Sequence, residues 1–258
     1  MTRPASAPLT RAEIYGDAEP CLDDPAELFH EASKLYPSLA RRQAAGIVRL
    51  EANETLRAVA ARSVRRNPQL PRTVLPSPRR PACTLWQAID RRRSRRSFTG
   101  TLDDPDLATI LDAAYGARSD GRRTVPSGGG LYPLELYVAR RGRGVHRYDP
   151  ELHALEQHEA GDPWPVFMLT SPVPSLLDDA AAAILVLGVF GRTRFKYGQR
   201  GYRFALLEAG HVVQNIVLAA AALDVAALPF GGYFDARVDE LVGADGVEES
   251  VVYAVVLG

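Results

Sequence analysis

Lysine is almost absent from this chain of 258 residues, which contains only Lys34 and Lys196 although Lys and Arg together number 31. Positive charge is therefore carried mainly by arginine, whose guanidinium does not give up its proton in a protein. A lysine retained in such a chain, directly before Tyr197, is a candidate for proton transfer. The alternative is an exposed lysine before a half-buried tyrosine, and these two residues alone favour that alternative; their surroundings reverse the preference.

Cysteine and long apolar runs are also scarce. Cys21 and Cys83 are far apart and form no CxxC pair, so the sequence predicts neither a disulfide framework nor a metal site. The longest apolar run, residues 180–190, is too short to span a bilayer. No apolar stretch near the N-terminus resembles a signal peptide. We therefore expect a soluble, cytoplasmic protein with reduced thiols and no membrane partner.

Net charge is absent as well, because 31 basic residues balance 31 acidic ones. General attraction to nucleic acid or to anionic lipid is therefore not expected. The basic residues are concentrated in residues 41–96, but no nucleic-acid-binding motif accompanies them, and phosphate binding explains the run better. The chain also lacks a GxGxxG turn and a Walker loop, which disfavours a Rossmann or P-loop fold.

Two regions differ in composition. Residues 1–80 are predicted to form a helical N-terminal extension with a Pro-rich arm. A helix starts at Asp24 and Pro25, a second helical stretch covers 52–65, and an extended connector covers 67–78. The compact domain is predicted to span residues 81–258.

The order of elements in the compact domain does not alternate strictly between helix and strand. The patterns predict helices over 84–92, 103–115 and 202–223, and strands over 134–139, 144–150, 184–190 and 250–257. This order is typical of the α+β class, with a central mixed or antiparallel sheet flanked by helices.

Three short segments could carry chemistry. Residues 91–98 read RRRSRRSF, and arginine forks beside a serine hydroxyl suit a phosphate monoester. Residues 125–133 read VPSGGGLYP, where successive glycines let the backbone lie flat against a planar ring. Residues 228–235 read LPFGGYFD, a glycine pair among aromatic residues. Each segment alone is a weak signal.

Taken in order, the three segments resemble the FMN-binding elements of the nitroreductase superfamily. Residues 29–34 (FHEASK) and the Lys196–Tyr197 pair are similar to its SagB-type branch, the azoline dehydrogenases of thiazole/oxazole-modified peptide biosynthesis. The resemblance covers roughly residues 24–258. It implies a homodimer in which each FMN site is built from both chains.

The resemblance also implies roles for individual residues. The FMN phosphate and ribityl chain would be held by Arg92, Arg93, Ser94 and Arg96. The ring system would be contacted by Pro126, Ser127, Gly128 and Gly129. The N5 edge of the flavin would be covered by Pro229, Phe230, Gly231 and Gly232. Gln214 would lie near the flavin of the partner subunit.

The implied activity is the FMN-dependent oxidation of peptide thiazolines or oxazolines to thiazoles or oxazoles, with reduced flavin reoxidised by O2. The substrate would be a peptide carrying azoline rings, and a cyclodehydratase complex would be a partner. Either Lys196 or Tyr197 could be the base, and the sequence does not decide between them. The alternatives are an NAD(P)H-dependent nitro or quinone reductase, which gives the pair no role, and a non-catalytic scaffold of a peptide-modifying complex.

Two departures from the family pattern bear on these alternatives. Nitroreductases commonly carry a late Lys or Arg that binds the phosphate, whereas no basic residue follows Arg237 here. That contact must therefore come from residues 91–96 or be missing. Phe230 stands where simple nitroreductases often have an acidic residue, which disfavours typical NAD(P)H handling.

Overall fold

A computed structural model describes residues 24–39, 44–56, 65 and 67–258 of the chain. Most of these residues form one antiparallel sheet with helices packed on both faces. The helices are α1 (Pro25–Ala32), α2 (Ala45–Glu51), α3 (Leu85–Arg91), α4 (Asp104–Tyr115), α5 (Trp164–Met168), α6 (Gly191–Tyr197), α7 (Gln199–Ala222) and α8 (Asp235–Val242). Short 3-10 turns occupy Pro37–Leu39, Gly128–Gly130 and Pro174–Leu177.

The sheet has seven strands in the order β1-β4-β3-β2-β5-β7-β6, and every neighbouring pair is antiparallel. The strands are β1 (Arg72–Val74), β2 (Leu134–Arg140), β3 (Gly144–Asp149), β4 (Ala154–Glu159), β5 (Ala182–Val189), β6 (Ala227–Phe230) and β7 (Glu249–Leu257). The predicted α+β class is confirmed, and the sheet is antiparallel rather than mixed.

The hydrophobic core lies on both faces of the central strands. On β2, Leu136 and Val138 pack towards α4 and α7, while Tyr137 and Ala139 pack towards α5 and α8. Successive side chains of a strand point to opposite faces, so a strand covered on both faces is apolar throughout. Because both faces of the sheet are covered, a site can be built from the loops at the ends of the central strands and from the first turns of α7.

Local signals explain why several helices begin where they do. Thr84 and Gln87 form a reciprocal capping box at the start of α3. Asp103 caps α4, which begins with a proline in its first turn and ends before Gly116. Asp24 caps α1 in the same way. The predicted bounds of these helices are confirmed to within one or two residues.

Other expectations are corrected. The helix at Ala45–Glu51 was not predicted, whereas residues 54–56 of the predicted stretch 52–65 are helical and its residues 57–64 are outside the described part of the chain. The Pro-rich arm is not a plain connector, because β1 pairs with β4 at the edge of the sheet. Pro229 and Phe230 belong to the other edge strand, β6, which the sequence patterns did not predict. An edge strand tolerates proline when the proline nitrogen faces away from the neighbouring strand, because no hydrogen bond of the sheet is then lost.

Helix α7 is long and apolar enough, by length and composition alone, to cross a membrane. Core helices of globular proteins pass the same test. Its residues Val212, Val213 and Ile216 lie in the hydrophobic core beside α4. The packing of α7 within the described residues is that of a core helix.

Candidate active site

Lys196 and Tyr197 form the last turn of α6, where the chain reverses into α7. Gly198 makes the reversal with φ 56° and ψ −137°, a conformation that favours glycine. Gly201 then allows α7 to approach α6, because a Cβ at that position would lie 2.6 Å from the Thr193 carbonyl carbon. The Thr193 hydroxyl donates to the Gly201 carbonyl oxygen at 2.8 Å, which fixes the joint between the two helices.

Helix α6 is anchored to the sheet by a buried group of charges. Arg192 of α6 donates to the Glu135 carboxylate of β2, which also accepts from Arg147 at 3.2 Å. Arg147 donates in addition to Glu156 at 3.0 Å, and the side chains of Arg147, Glu135 and Glu156 are at most 4% exposed. Removing one member of such a group leaves an uncompensated buried charge. The position of α6 relative to β2 is therefore strongly determined.

The glycine-rich loop lies directly against the Lys–Tyr pair. Gly129 has a φ of 68°, and a Cβ built on it would lie 2.5 Å from the Tyr197 hydroxyl oxygen and 2.9 Å from Lys196 Nζ. Only a residue without a side chain lets both polar tips lie this close to the backbone. The glycine-rich loop and the Lys–Tyr pair, which are more than sixty residues apart in the sequence, are therefore in contact and form one side of the candidate site.

Phe204 of α7 packs against both the Tyr197 ring and the glycine-rich loop. Its ring packs edge-on against the Tyr197 ring, with centroids 5.0 Å apart. Its Cδ2 atom would lie 3.1 Å from a Cβ at Gly128, so the loop also rests on it. The tyrosine ring and the loop backbone thus share one hydrophobic support.

The N-terminal extension packs beside the pair. A Cβ at Gly46 of α2 would lie 2.5 Å from the Lys196 carbonyl oxygen, so α2 abuts the end of α6. Arg200 donates to the Ser33 carbonyl oxygen at 3.0 Å, and the rings of Phe29 and Tyr202 meet at 5.4 Å. The described residues of the extension therefore pack on the core near Lys196 and Tyr197.

A cavity of about 470 Å³ opens between the extension and the α6–α7 joint. The described residues that line it include four cations and no carboxylate. The cations are Lys34, Arg194, Lys196 and Arg200. The cavity gives a molecule larger than a simple ion access to the Lys–Tyr pair.

A buried carboxyl lies on the other side of the glycine-rich loop. Glu208 of α7 is 2% exposed, and its Oε1 is 2.6 Å from the Tyr115 hydroxyl. Burial raises the pKa of Glu208 to about 7, although hydrogen bonding from Ser127 and Tyr115 and the charge of Arg123 lower it. The sequence analysis missed this residue. It could have been noticed as the only acid in the 24 residues of α7.

The arginine segment lies elsewhere, at the end of α3 and beside β6. The Arg95 backbone N–H donates to the Ala227 carbonyl oxygen at 3.0 Å, and its guanidinium pairs with Asp224 at 3.0 Å. Ser94 and four arginines follow α3 along a mostly exposed stretch, namely Arg92, Arg93, Arg95 and Arg96. Within the part of the chain that the structure describes, no ion pair involves Arg92, Arg93 or Arg96. These three cations are suited to bind an anion such as a phosphate.

The glycine pair directly follows β6, the same strand that the arginine segment contacts through Ala227. Gly231 and Gly232 are exposed, and Pro229 is half-buried. The Phe230 side chain is 6% exposed and packs in the core, 6.0 Å from the Tyr233 ring. Any contact of Phe230 with a cofactor would therefore come from its backbone. Gln214 is exposed on α7, where a partner chain could reach it.

The predicted site residues thus fall into two groups. One comprises Lys196, Tyr197 and the loop from Pro126 to Gly129, and the other comprises the arginine segment and the end of β6. Hydrogen bonds and ring contacts among the described residues do not join the two groups. A site assembled from two chains would bring one group of each chain together, as the resemblance implies, and this assembly stays a prediction.

Residues 89–258 match the sequence profile of the Nitroreductase family, and the chain therefore belongs to that family. It is 32% identical over 165 residues to MJ1384 of Methanocaldococcus jannaschii, which is provisionally named a nitroreductase. That match covers 61% of this chain and 83% of MJ1384. The family assignment agrees with the order of motifs and with the observed fold.

Two further similarities involve microcin proteins of Escherichia coli. The chain is 33% identical over 151 residues to the microcin B17-processing protein McbC, covering 54% of this chain and 56% of McbC. A chain in the structure of the microcin synthetase McbBCD complex with truncated pro-MccB17 bound matches with a TM-score of 0.58 at 24% identity. This match covers 90% of the present chain and 91% of that chain, and at this identity it concerns the fold.

Proposed function

We propose that this chain is an FMN-dependent dehydrogenase that oxidises thiazoline or oxazoline rings of a peptide to thiazoles or oxazoles. One observation carries the proposal: Lys196 Nζ and the Tyr197 hydroxyl both lie against Gly129 of the glycine-rich loop. A simple reductase needs no proton-transfer pair at this loop. Oxidation of an azoline does need one, because the ring loses a proton from one carbon and a hydride from its neighbour.

The residues present fit FMN. Gly128, Gly129 and Gly130 present no Cβ atoms, and no described residue lies within 4 Å of the Cβ position of Gly130, so a flat ring could lie on the loop. Arg92, Arg93 and Arg96 with Ser94 would hold the phosphate through charge-assisted hydrogen bonds. Bound FMN would supply the acceptor for the hydride.

The protein would supply orientation and the base. Lys196 or Tyr197 takes the proton from the ring carbon, while Gly129 and Phe204 hold the two side chains in place. General acid–base groups contribute on the order of a hundredfold to ten-thousandfold in rate. Reduced flavin would then be reoxidised by O2, which returns the protein to its starting state.

The cavity and the microcin proteins support a peptide substrate. The cavity beside the Lys–Tyr pair is open and lies between the N-terminal extension and the core. McbC is named for the processing of microcin B17, and the McbBCD complex was solved with a peptide precursor bound. By analogy, this chain would act on a peptide, as a homodimer within a complex that contains a cyclodehydratase.

A second candidate is a nitro or quinone reductase that uses NAD(P)H, which the name of MJ1384 favours. The two are separated by measuring both activities on FMN-loaded protein. An azoline dehydrogenase converts an azoline peptide to a product that has lost two hydrogens, detected by mass spectrometry, and consumes NADPH slowly with a nitroaromatic acceptor. The opposite pattern would favour the reductase. Protein that takes up no FMN would remove both candidates.

A further inference from the structure

Glu208 is a buried acid that the proposed chemistry does not use. Its Oε1 lies 2.6 Å from the Tyr115 hydroxyl, whereas its Oε2 has no well-formed hydrogen bond among the described residues. A buried carboxyl oxygen without a partner is costly, and the cost is reduced when the group holds a proton. The position of Glu208 behind the glycine-rich loop therefore needs an explanation.

The donors around Glu208 determine which oxygen can carry the proton. The Leu134 backbone N–H donates to the Tyr115 hydroxyl oxygen at 3.3 Å. The hydroxyl proton of Tyr115 is then directed at Glu208 Oε1, which acts as an acceptor. A proton on Glu208 belongs on Oε2.

Ser127 links this carboxyl to the loop. Its Oγ accepts from the Tyr132 backbone N–H at 2.9 Å, which closes the turn over Gly128–Gly130. Ser127 is also a neighbour of Glu208, and it lowers the pKa of the carboxyl. A serine hydroxyl has one proton and two lone pairs. Ser127 can therefore direct its proton to Glu208 or to another partner, but not to both.

The charged and titratable neighbours of Glu208 are few in the part of the chain that is described. Tyr115 lies on α4, and the Arg123 guanidinium stacks 4.1 Å from the Tyr115 ring centroid. Lys196 and Tyr197 lie at Gly129, farther along the loop. Burial outweighs the lowering effects of Ser127, Tyr115 and Arg123, and the resulting pKa of about 7 means that both forms of Glu208 are populated near neutral pH.

We propose that Glu208 is a positioning residue that sets whether Ser127 offers a proton or a lone pair to the flavin ring. With a proton on Oε2, Glu208 donates to Ser127 Oγ, and the Ser127 hydroxyl can donate to the ring. Without it, the carboxylate takes the Ser127 proton, and Ser127 presents only a lone pair. The proposal rests on the proposed function, since it requires that the chain bind FMN and that Ser127 contact the ring.

Thermal unfolding of the protein without FMN tests the titration itself. The ordinary pKa of a glutamate is 4.5, and burial raises that of Glu208 to about 7 in the folded chain. Between these values the folded chain keeps a proton that the unfolded chain releases. Its stability therefore falls as pH rises through this window and levels off above it. Glu208→Gln should lack this part of the pH dependence. Glu240→Gln, an exposed acid on α8, is the matched control and should retain it.

The visible spectrum of the FMN-loaded protein tests the link to the ring. Wild type should show a shift of the flavin absorption band with a midpoint near pH 7. Glu208→Gln should show the low-pH spectrum at every pH, because its amide can donate to Ser127 as the protonated acid does. Ser127→Ala should show no titration of the band, while the stability of its FMN-free form still falls with rising pH, over a window that reaches higher pH because the pKa-lowering effect of Ser127 is gone.

The outcomes separate the two proposals. If wild type takes up no FMN, the proposed function and this inference both fall. If FMN binds and its spectrum does not change near pH 7, or changes equally in Glu208→Gln, the inference alone is overturned. Loss of the titration in Glu208→Gln and Ser127→Ala, with retention in Glu240→Gln, supports it.

Discussion

Three single residues form the centre of the candidate site: Lys196, Tyr197 and Gly129. Lys196 Nζ and the Tyr197 hydroxyl share the space that a side chain at Gly129 would fill. Proton transfer requires a group within hydrogen-bond reach of the reacting atom and able to exchange a proton near neutral pH. A lysine ammonium and a tyrosine hydroxyl can give up a proton, whereas an arginine guanidinium in a protein cannot.

The first prediction concerns the identity of the base. Lys196→Arg keeps the charge but cannot exchange a proton, and Tyr197→Phe keeps the ring that packs on Phe204. We expect both variants to bind FMN normally and to lose azoline oxidation by about a hundredfold or more. Peptide turnover and flavin content are measured on the same preparations. Full activity in the arginine variant would assign the base to Tyr197, and full activity in both variants would return the protein to the reductase class.

The second prediction concerns Gly129. In Gly129→Ala the new methyl group would displace the Tyr197 hydroxyl or Lys196 Nζ, and we expect activity to fall by about a hundredfold. Strain from the positive φ should also cost about 1 kcal/mol of stability. Gly121→Ala is the matched control, because Gly121 has a φ of 80° and nothing within 4 Å of its Cβ position. It should lose similar stability and keep its activity. Equal activity in the two variants would show that the contact is unimportant.

Sequence analysis found some of these residues and missed others for a physical reason. Lys196 could be singled out because arginine replaces lysine almost everywhere else in the chain. Glu208 could not be assigned a role, because its neighbours in the fold, such as Tyr115, are distant in sequence and its burial cannot be read from the local pattern. Propensity and spacing report local chemistry, whereas desolvation is set by residues brought together by the fold.

At the scale of elements, the position of α6 decides the geometry of the Lys–Tyr pair. Arg192 fixes the start of α6 to Glu135, and Gly46 of α2 abuts its end. The N-terminal extension therefore contributes to the site through packing. Its part in shaping the cleft for a peptide, or in docking a cyclodehydratase, stays a prediction.

The third prediction tests the role of α2. A methyl group at Gly46 would lie 2.5 Å from the Lys196 carbonyl oxygen, a backbone atom that cannot rotate away. Gly46→Ala should push α2 and the end of α6 apart, with normal FMN binding and at least about a tenfold loss of peptide oxidation. Gly191→Ala, at the other end of α6 with nothing within 4 Å, is the control and should be active. An active Gly46→Ala variant would mean that the extension does not position the pair.

The elements found from sequence are those with strong local signals. Helix α4 has a capping aspartate, a proline in its first turn and a glycine after its end, and its bounds were predicted closely. Helix α6 has seven residues and no clear apolar period, and it was missed. Strand β1 follows a proline and is stabilised by pairing with β4, which no local pattern reveals.

At the scale of the whole molecule, the two groups of predicted site residues call for a second chain. Leu206 and Leu207 on α7 are 38% and 56% exposed, beside the exposed Gln214. An isologous dimer would bury the exposed part of these leucines in both chains, which contributes only a fraction of the roughly 1.5–3 kcal/mol gained when a fully exposed side chain is buried. Such a dimer would fit the resemblance, which implies an FMN site built from both chains with Gln214 near the flavin of the partner subunit.

The fourth prediction concerns this dimer. Wild type should be dimeric by light scattering at micromolar concentration, and Leu207→Glu should be monomeric because two charges would meet in the interface. The monomer should also lose FMN, since each site needs both chains. Val247→Glu is the control, because Val247 is 73% exposed in the loop before β7. A monomeric wild type with bound FMN would contradict the two-chain site.

The central claim is that a peptide azoline passes its electrons to flavin held by this chain. Anaerobic mixing of FMN-loaded protein with a single equivalent of azoline peptide tests it most directly, with the flavin absorbance followed over time. We predict that the yellow colour is bleached as the azole forms, that it returns on admission of O2, and that Lys196→Arg bleaches at least about a hundredfold more slowly. Flavin that stays oxidised with the peptide but is bleached promptly by NADPH would contradict the claim.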